Sequence, residues 1–253
     1  MNSRTCLRTR YFNNGQQRLS ASVAGSPDKP CVILLHGGGQ TRHAWNTSAQ
    51  NLLRAGYQVL SLDLRGHGES DWATNGDYSL DSQIGDLKAV IALLPNPPIL
   101  VGASLGGLIA LACAGENPGI ACALVLVDVT PKVDPEGEAR VKQFMQANPD
   151  GFASFGEAAA VIARYLPHRP RRPSTKGLRN NLRFRNGRYY WHWDPRLFDT
   201  LDVSPQTAQA RYDRAAANLK IPTLLIRGAR SELVSSEHVE HFIDQLSRRE
   251  RPQ

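Results

Sequence analysis

Five short apolar segments, separated by longer stretches in which apolar residues recur with helical spacing, constrain the fold of this chain more than any other feature. The segments are Cys31–Leu35, Val59–Leu62, Ile99–Val101, Ala123–Val127 and Thr223–Ile226. Each is too short for a buried helix and suits a strand that is covered on both faces of a sheet. Strands that alternate with helices predict a parallel sheet wound with right-handed crossovers.

Four helices and an edge hairpin complete this α/β prediction. Helical spacing covers Ala44–Arg54, Leu80–Leu94, Leu105–Glu116 and Ser235–Leu246. Ahead of the first apolar segment, Thr5–Phe12 and Gln17–Val23 alternate weakly, and we expect them to pair as an antiparallel hairpin at the edge of the sheet. A chain of 253 residues is long enough to bury one compact core.

The stretch from residue 131 to residue 214 breaks the alternation. It contains prolines, a run of arginines and the turn Asn186-Gly187 between two strand-like segments, which is typical of a hairpin. We interpret it as a cap inserted between two strands of the sheet. Residues 1–130 and 215–253 are then predicted to form a discontinuous core, and residues 131–214 the cap.

The composition gives no sign of a membrane segment or of a structural disulfide. Residues 1–20 lack the apolar stretch of a signal peptide, and nowhere do about 18 apolar residues run together. The four cysteines form no C-x-x-C pair and have no spacing typical of disulfides or metal sites. We therefore expect a cytoplasmic protein with no membrane partner and no bound metal. The sequence does not indicate an oligomeric state.

The net charge of +7 is concentrated in the predicted cap. The basic cluster comprises Arg164, Arg169, Arg171, Arg172, Lys176, Arg179, Arg183, Arg185 and Arg188. These side chains either form a solvated surface or select anionic substrates. Nucleic-acid binding, with Tyr189, Tyr190 and Trp191 as stacking groups, is a rival hypothesis. No recognisable nucleic-acid-binding motif accompanies the cluster, so we predict no nucleic-acid partner.

The segment Gly102-Ala103-Ser104-Leu105-Gly106 fits the pattern G-x-S-x-G. An apolar strand precedes it and a helix-compatible run follows it, which is the setting of a nucleophile elbow. In such an elbow the serine lies in a strained turn, and the tight crossing of strand and helix leaves no room for side chains two residues to either side. We therefore predict that Ser104 is a catalytic nucleophile.

A second glycine-rich segment, His36-Gly37-Gly38-Gly39, follows directly after the first apolar strand. Acyl transfer places negative charge on a carbonyl oxygen, and backbone N–H groups that already point at this oxygen stabilise it. We assign this oxyanion hole to the N–H groups of Gly38 and Leu105, with Gly37 beside the substrate. His36 is expected to organise the loop and not to act as a base.

Together with Asp63-Leu64-Arg65-Gly66-His67-Gly68-Glu69-Ser70, these two motifs resemble the serine α/β-hydrolase superfamily in order and spacing. The resemblance implies a mostly parallel central sheet flanked by helices, with an inserted cap. It also implies an esterase, lactonase-like enzyme or cofactor-free haloperoxidase that cleaves a small ester or lactone through an acyl-serine intermediate, without a cofactor. Trp191 and Trp193 of the cap either line the substrate pocket or anchor the cap.

The resemblance further implies an acid and then a histidine after the last predicted strand. Glu232, in Gly228-Ala229-Arg230-Ser231-Glu232, is the candidate acid, and Asp128 is the alternative. Too few residues follow Glu232 to form a further strand, a histidine loop and a closing helix, so we expect that these elements are missing. The predicted consequences are an unpaired sheet edge and very low esterase activity; an inactive protein that binds a ligand is the alternative function.

Overall fold

The computed structural model describes residues 6–15, 17–166, 175–199 and 205–247. Its strands are β1 (Arg8–Asn14), β2 (Gln17–Ala24), β3 (Cys31–Leu35), β4 (Gln58–Leu62), β5 (Ile99–Ala103), β6 (Ala123–Val127), β7 (Leu182–Arg185), β8 (Arg188–Trp191) and β9 (Thr223–Ile226). Seven of these strands form one sheet in the order β1-β2-β4-β3-β5-β6-β9, and β7 and β8 form a separate hairpin.

The central sheet is parallel from β4 to β9, whereas β1 and β2 are antiparallel. All residues of β3 and β4 are buried, as expected for strands covered on both faces; β3 is apolar throughout, whereas β4 also buries Gln58 and Ser61. Most of β1 is exposed, which suits an edge strand. The predicted α/β class, the five parallel strands and the edge hairpin are confirmed.

Helices cover both faces of the sheet. They are α1 (Asn46–Arg54), α2 (Leu80–Ile91), α3 (Leu105–Glu116), α4 (Pro135–Gln146), α5 (Phe155–Tyr165), α6 (Thr175–Leu178), α7 (Pro205–Asn218) and α8 (Ser236–Ser247). Two 3₁₀ turns occur at Arg42–Trp45 and Pro195–Phe198. α3 is buried along most of its length and packs against α7, where a Cβ atom on Gly115 would lie only 2.1 Å from the carbonyl oxygen of Ala215.

The segment between β6 and α7 has an apolar cluster of its own. The buried members of this cap cluster are Met145, Phe152, Ala158, Leu178, Leu182, Trp191 and Trp193. The two tryptophan rings stack with their centroids 4.9 Å apart. Asn186 and Gly187, which join β7 to β8, both have positive φ angles, as an Asn-Gly hairpin turn requires.

The predicted boundaries of core and cap stay predictions. α7 starts inside the segment predicted as cap, at Pro205, yet its Ala215 and Ala216 belong to the main core beneath the sheet. Within the described ranges, no helix has both the length and the apolar character that a membrane crossing requires.

Candidate active site

Ser104 lies in the sharp turn between β5 and α3. Its backbone angles, φ 46° and ψ −120°, fall in a region that L-residues rarely adopt and that costs about 1–3 kcal/mol. The surrounding hydrogen bonds hold this conformation: the N–H of Ser104 donates to the carbonyl of Val127 (3.2 Å), and its carbonyl accepts from Gly107 (2.8 Å) and Leu108 (3.0 Å). The turn therefore fixes the direction of the Ser104 side chain.

The backbone crosses closely at this turn. A Cβ atom on Gly102 would lie 2.4 Å from the carbonyl oxygen of Gly106. A Cβ atom on Gly106 would lie 2.6 Å from the carbonyl oxygens of both Leu35 and His36. Because these neighbours are backbone atoms that cannot rotate away, the crossing of β5, α3 and β3 requires glycine at both positions.

Two backbone N–H groups beside Ser104 are available to a ligand. A Cβ atom on Gly37 would lie 3.4 Å from the Cβ of Ser104. The glycine loop, residues 36–39, therefore lies directly beside the serine. Gly38 follows in that loop, and Leu105 is the first residue of α3, at the positive end of the helix dipole. In the part of the chain that the structure describes, neither the N–H of Gly38 nor that of Leu105 has a hydrogen-bond acceptor.

His36 determines which way the Gly38 N–H points. The Nε2 of His36 accepts a hydrogen bond from the N–H of Leu64 (3.1 Å), so the ring proton is on Nδ1, which donates to the carbonyl of Gly37 (2.8 Å). The N–H of Gln40 donates to the same carbonyl (3.1 Å). In a trans peptide the C=O and the following N–H point in opposite directions, so this anchored carbonyl directs the Gly38 N–H away from His36.

His67 holds the next residue of the glycine loop. Its Nε2 accepts a hydrogen bond from the N–H of Gly39 (3.2 Å), and its Nδ1 donates to the carbonyl of Arg65 (3.1 Å). His67 belongs to the motif that begins at Asp63, but nothing in the sequence indicated its role. Asp63, at the start of the same motif, anchors the loop after β4, because its buried carboxylate forms an ion pair with Arg42.

A third buried histidine, His192 of the cap, completes a row of imidazole rings. The ring centroids of His36 and His67 are 5.0 Å apart, and those of His67 and His192 are 5.9 Å apart. Burial lowers the pKa of all three, that of His67 to about 3, so the rings are neutral at physiological pH. In each ring one nitrogen accepts a backbone N–H and the other contacts a backbone carbonyl. None of them is free to take a proton from Ser104.

The two candidate acids follow β6 and β9, the two strands next to β5 in the direction away from β3. Asp128 follows β6 with a φ of 55°, and its Oδ1 accepts a hydrogen bond from the N–H of Gly228 (2.9 Å) after β9. Glu232 is exposed, and its carboxylate forms an ion pair with Arg140 of α4 (2.5 Å). The structure thus places both residues in the loops that follow β6 and β9, with Asp128 one residue beyond the partner of the Ser104 N–H.

The histidines that follow Glu232 in sequence do not contact either acid. His238 is mostly buried on α8 and bonds to Ser235, and His241 lies 3.9 Å from Asp213. Among the residues that the structure describes, no group forms a hydrogen bond with the hydroxyl of Ser104.

Ser104 lines an apolar cavity of about 180 Å³ between the core and the cap. Its lining comprises Gly38, His67, Tyr78, Gln83, Ser104, Leu105, Leu108, Val129, Val133, Glu138, Val141, Met145, Leu197, Phe198 and Leu233. Glu138 is the one carboxylate among these lining residues, and no lysine or arginine that the structure describes is among them. Trp191 and Trp193 are also outside it, since their rings pack inside the cap cluster.

Three arginines of the basic cluster contact backbone carbonyls or aromatic rings of the protein. Arg183 donates to the carbonyl of Gly68 and lies over the ring of Trp72, and Arg185 lies over the ring of Tyr190. Arg188 donates to the carbonyls of Asp150 and Gly151. Arg169, Arg171 and Arg172 lie outside the described residues.

Comparison with known proteins identifies the fold family. The chain is 34% identical over 216 residues to the esterase Rv0045c of Mycobacterium tuberculosis. The aligned region covers 82% of this chain and 69% of that protein. It is 26% identical over 242 residues to a 3-hydroxybutyrate-oligomer hydrolase of Cupriavidus necator, covering 90% of this chain and 82% of that one. A crystal structure of Rv0045c superimposes with a TM-score of 0.73 and 29% identity, over 95% of this chain and 81% of that one.

The family described as "alpha/beta hydrolase fold" matches residues 30–252, which span the sheet from β3 onward, the serine turn and the cap. The match extends over most of the chain, and the parallel strand order and the helices on both faces agree with it. The chain therefore belongs to the alpha/beta hydrolase fold family.

Proposed function

We propose that this protein hydrolyses a carboxylic ester or lactone through an acyl intermediate on Ser104. The Oγ of Ser104 attacks the carbonyl carbon, the bond to the alcohol oxygen breaks, and the serine proton leaves with the alcohol. A water molecule then adds to the acyl-serine and releases the carboxylic acid. The relatives named as esterase and as oligomer hydrolase support this class of reaction.

The observation that carries the proposal is the pair of unoccupied N–H groups beside Ser104. A carbonyl oxygen bound by Gly38 and Leu105 gains two hydrogen bonds as it becomes negative, without reorganisation of the loop. Removing one such donor typically lowers the rate by about 10²–10³. Both residues line the cavity and neither N–H has a described acceptor, so a carbonyl oxygen bound in the cavity is a suitable partner for them.

The lining of the cavity suggests the chemical class of the acyl group. A cavity of about 180 Å³ is comparable to the roughly 150 Å³ cavity that holds a benzene molecule. The side chains around it are mainly aliphatic, and its one carboxylate, on Glu138, repels an anionic substrate. We therefore propose an uncharged, apolar acyl group, and we assign no substrate-selecting role to Arg183, Arg185 and Arg188 of the cap, which lie outside the described lining.

We further propose that turnover is slow. A serine hydroxyl at its normal pKa needs a general base, and loss of that base removes most of the catalytic power of a serine hydrolase. No described histidine contacts Ser104, and the three nearest rings are committed to backbone groups. The oxyanion hole and substrate binding alone can leave about 10³–10⁴ over the uncatalysed reaction. Glu232, or alternatively Asp128, is the proposed acid, and because no described histidine joins it to Ser104, we expect it to contribute little to this slow turnover.

The test compares the wild-type protein with Ser104→Ala. We expect weak hydrolysis of p-nitrophenyl butyrate and slow labelling by a fluorophosphonate, with the adduct on Ser104, and we expect both to disappear in Ser104→Ala. Hydrolysis that survives this substitution would refute the serine mechanism. Rapid stoichiometric labelling of the wild type would refute slow turnover.

The free hydroxyl of Ser104 also supports a second candidate, a hydrolase-fold protein that binds a ligand without turning it over. In that case a butyrate ester would raise the melting temperature of the wild type and be recovered unchanged. Release of butyrate would contradict this alternative.

A further inference from the structure

His192 lies at the junction of the cap and two core loops. Its ring is almost fully buried, and its Nδ1 accepts a hydrogen bond from the N–H of Gly68 (2.7 Å). A backbone N–H can only donate, so Nδ1 carries no proton and Nε2 does. Nε2 lies 3.4 Å from the carbonyl oxygen of Gly39, to which it donates. The side chain therefore bridges the loop after β4 and the glycine loop after β3.

Gly39 is held on both of its backbone polar groups. Its N–H donates to His67 of the core, and its carbonyl accepts from His192 of the cap. Its φ of 69° lies in the left-handed region, so the chain turns sharply just after Gly38. The residue that follows the proposed oxyanion donor is thus fixed by one imidazole from each part of the protein.

The contacts around His192 tie the position of its ring to the docking of the cap. The backbone carbonyl of His192 accepts a hydrogen bond from the indole of Trp72 (3.3 Å). Two residues later, the N–H of Asp194 donates to the carbonyl of Gly66 (2.9 Å), and its carboxylate accepts from the hydroxyl of Tyr78 (2.5 Å). The ring reaches Gly39 only when this cap segment lies against the core.

The three neighbouring imidazoles do not form a metal site. Each ring nitrogen of His36, His67 and His192 faces a backbone N–H or carbonyl, so no set of lone pairs converges on one point. No other group of three potential metal ligands occurs within the described part of the chain. The arrangement instead suits a rigid support for backbone groups.

We propose that His192 is a positioning residue through which the docked cap fixes the glycine loop and hence the Gly38 N–H. The inference rests on the proposed function, because it gives the cap a role in oxyanion stabilisation. It also predicts a property of the loop that is independent of any reaction: without the imidazole, the backbone around Gly39 loses its anchor on the carbonyl side and becomes more mobile.

The test uses His192→Ala and His192→Gln, with His241→Ala, an exposed histidine of α8, as the matched control. Glutamine places an amide N–H near the position of Nε2 and so retains a donor for Gly39. We expect His192→Ala to lower kcat for p-nitrophenyl butyrate about tenfold to a hundredfold, since small misplacements of reacting groups have effects of this size. KM should change less than about twofold. His192→Gln should remain within about fivefold of the wild-type kcat.

Hydrogen exchange of the backbone provides the second readout. Peptides that cover residues 37–40 should exchange at least about tenfold faster in His192→Ala than in the wild type, His192→Gln or His241→Ala. Unchanged exchange of these peptides in a folded His192→Ala protein would overturn the proposal, and so would a loss confined to KM. If the wild type proves to have no esterase activity, the proposed function fails, and the exchange measurement still decides the role of His192.

Discussion

The surroundings of the proposed oxyanion hole and those of the proposed acid differ in how firmly the chain fixes them. On the side proposed to bind the carbonyl oxygen, His36, His67 and His192 are at most 2% exposed, and all their ring nitrogens contact the backbone. On the side proposed to handle the proton, the side chain of Glu232 is 56% exposed and pairs with Arg140. Hydrogen-bond donors fixed in a dry site act on a transition state without reorganisation, whereas exposed charges are screened by water.

This difference shows that the structure fixes the groups proposed to bind the carbonyl oxygen more firmly than the groups proposed for proton transfer. We therefore expect substitutions of His36, His67 or His192 to lower kcat much more than substitutions of Glu232 or its partner Arg140.

The largest effect is expected at His36. His36→Leu removes the donor to the Gly37 carbonyl and leaves the N–H of Leu64 without its acceptor. We expect kcat for p-nitrophenyl butyrate to fall about a hundredfold, since the Gly38 N–H would no longer be held toward the oxyanion. The free energy of unfolding should fall by about 1–3 kcal/mol, the cost of an unsatisfied buried group. Steady-state kinetics and urea unfolding measure the two effects.

His36→Asn provides the matched comparison. Its amide nitrogen occupies a position close to Nδ1 and keeps a donor for the Gly37 carbonyl, although the bond from Leu64 is lost. We expect kcat to fall less than about tenfold in this variant. If His36→Leu and His36→Asn lost the same activity, the direction of the Gly37–Gly38 peptide would not be what His36 controls.

Local patterns were sufficient to predict the fold and the serine turn. The limits of β3 and β6 could be read from continuous apolar runs, which are typical of central strands in a parallel sheet covered by helices. The glycines at 102 and 106 also have a local cause, the tight crossing that surrounds Ser104. Such features depend on neighbours in sequence, and a pattern of a few residues therefore reveals them.

The supporting contacts of the site could not be predicted in the same way. The bond from Gly68 to His192 joins residues 124 positions apart, and no local pattern records which imidazole nitrogen will meet which amide. The only available signal was the position of His192 between two tryptophans in the cap. Equally, sequence alone did not show that Arg183, Arg185 and Arg188 lie outside the described lining of the cavity, or that Glu138 lies within it.

A second prediction concerns acid stability. In the folded protein, burial lowers the pKa of His192 well below its usual range, and His67 and His36 lower it further, as does Arg183 to a lesser extent. The unfolded chain, with a histidine pKa of about 6.5, therefore binds more protons below that pH. Stability is complete above pH 6.5 and falls as the pH decreases. Each such histidine contributes a slope of up to about 1.4 kcal/mol per pH unit.

Urea unfolding would measure this slope at several pH values between about 4.5 and 6.5, the range at and just below the pKa of histidine in the unfolded chain. His192→Gln should reduce it by about one proton relative to the wild type, whereas His241→Gln, at an exposed position, should leave it nearly unchanged. An identical slope in the wild type and His192→Gln would show that His192 is not held neutral by the fold.

The smallest effect is expected on the exposed side, where Glu232→Gln and Arg140→Gln form a matched pair. Both substitutions break the same ion pair, and an exposed pair of this kind contributes about 0–1 kcal/mol to stability. Because no described histidine connects Glu232 to Ser104, we expect each variant to retain kcat for p-nitrophenyl butyrate within about tenfold of the wild type, an effect far below that of removing a complete catalytic group. A fall in kcat of about a hundredfold or more in Glu232→Gln alone would be typical of the loss of a catalytic group. The carboxylate would then act in proton transfer, and the contrast between the proposed oxyanion hole and the proposed acid would be wrong.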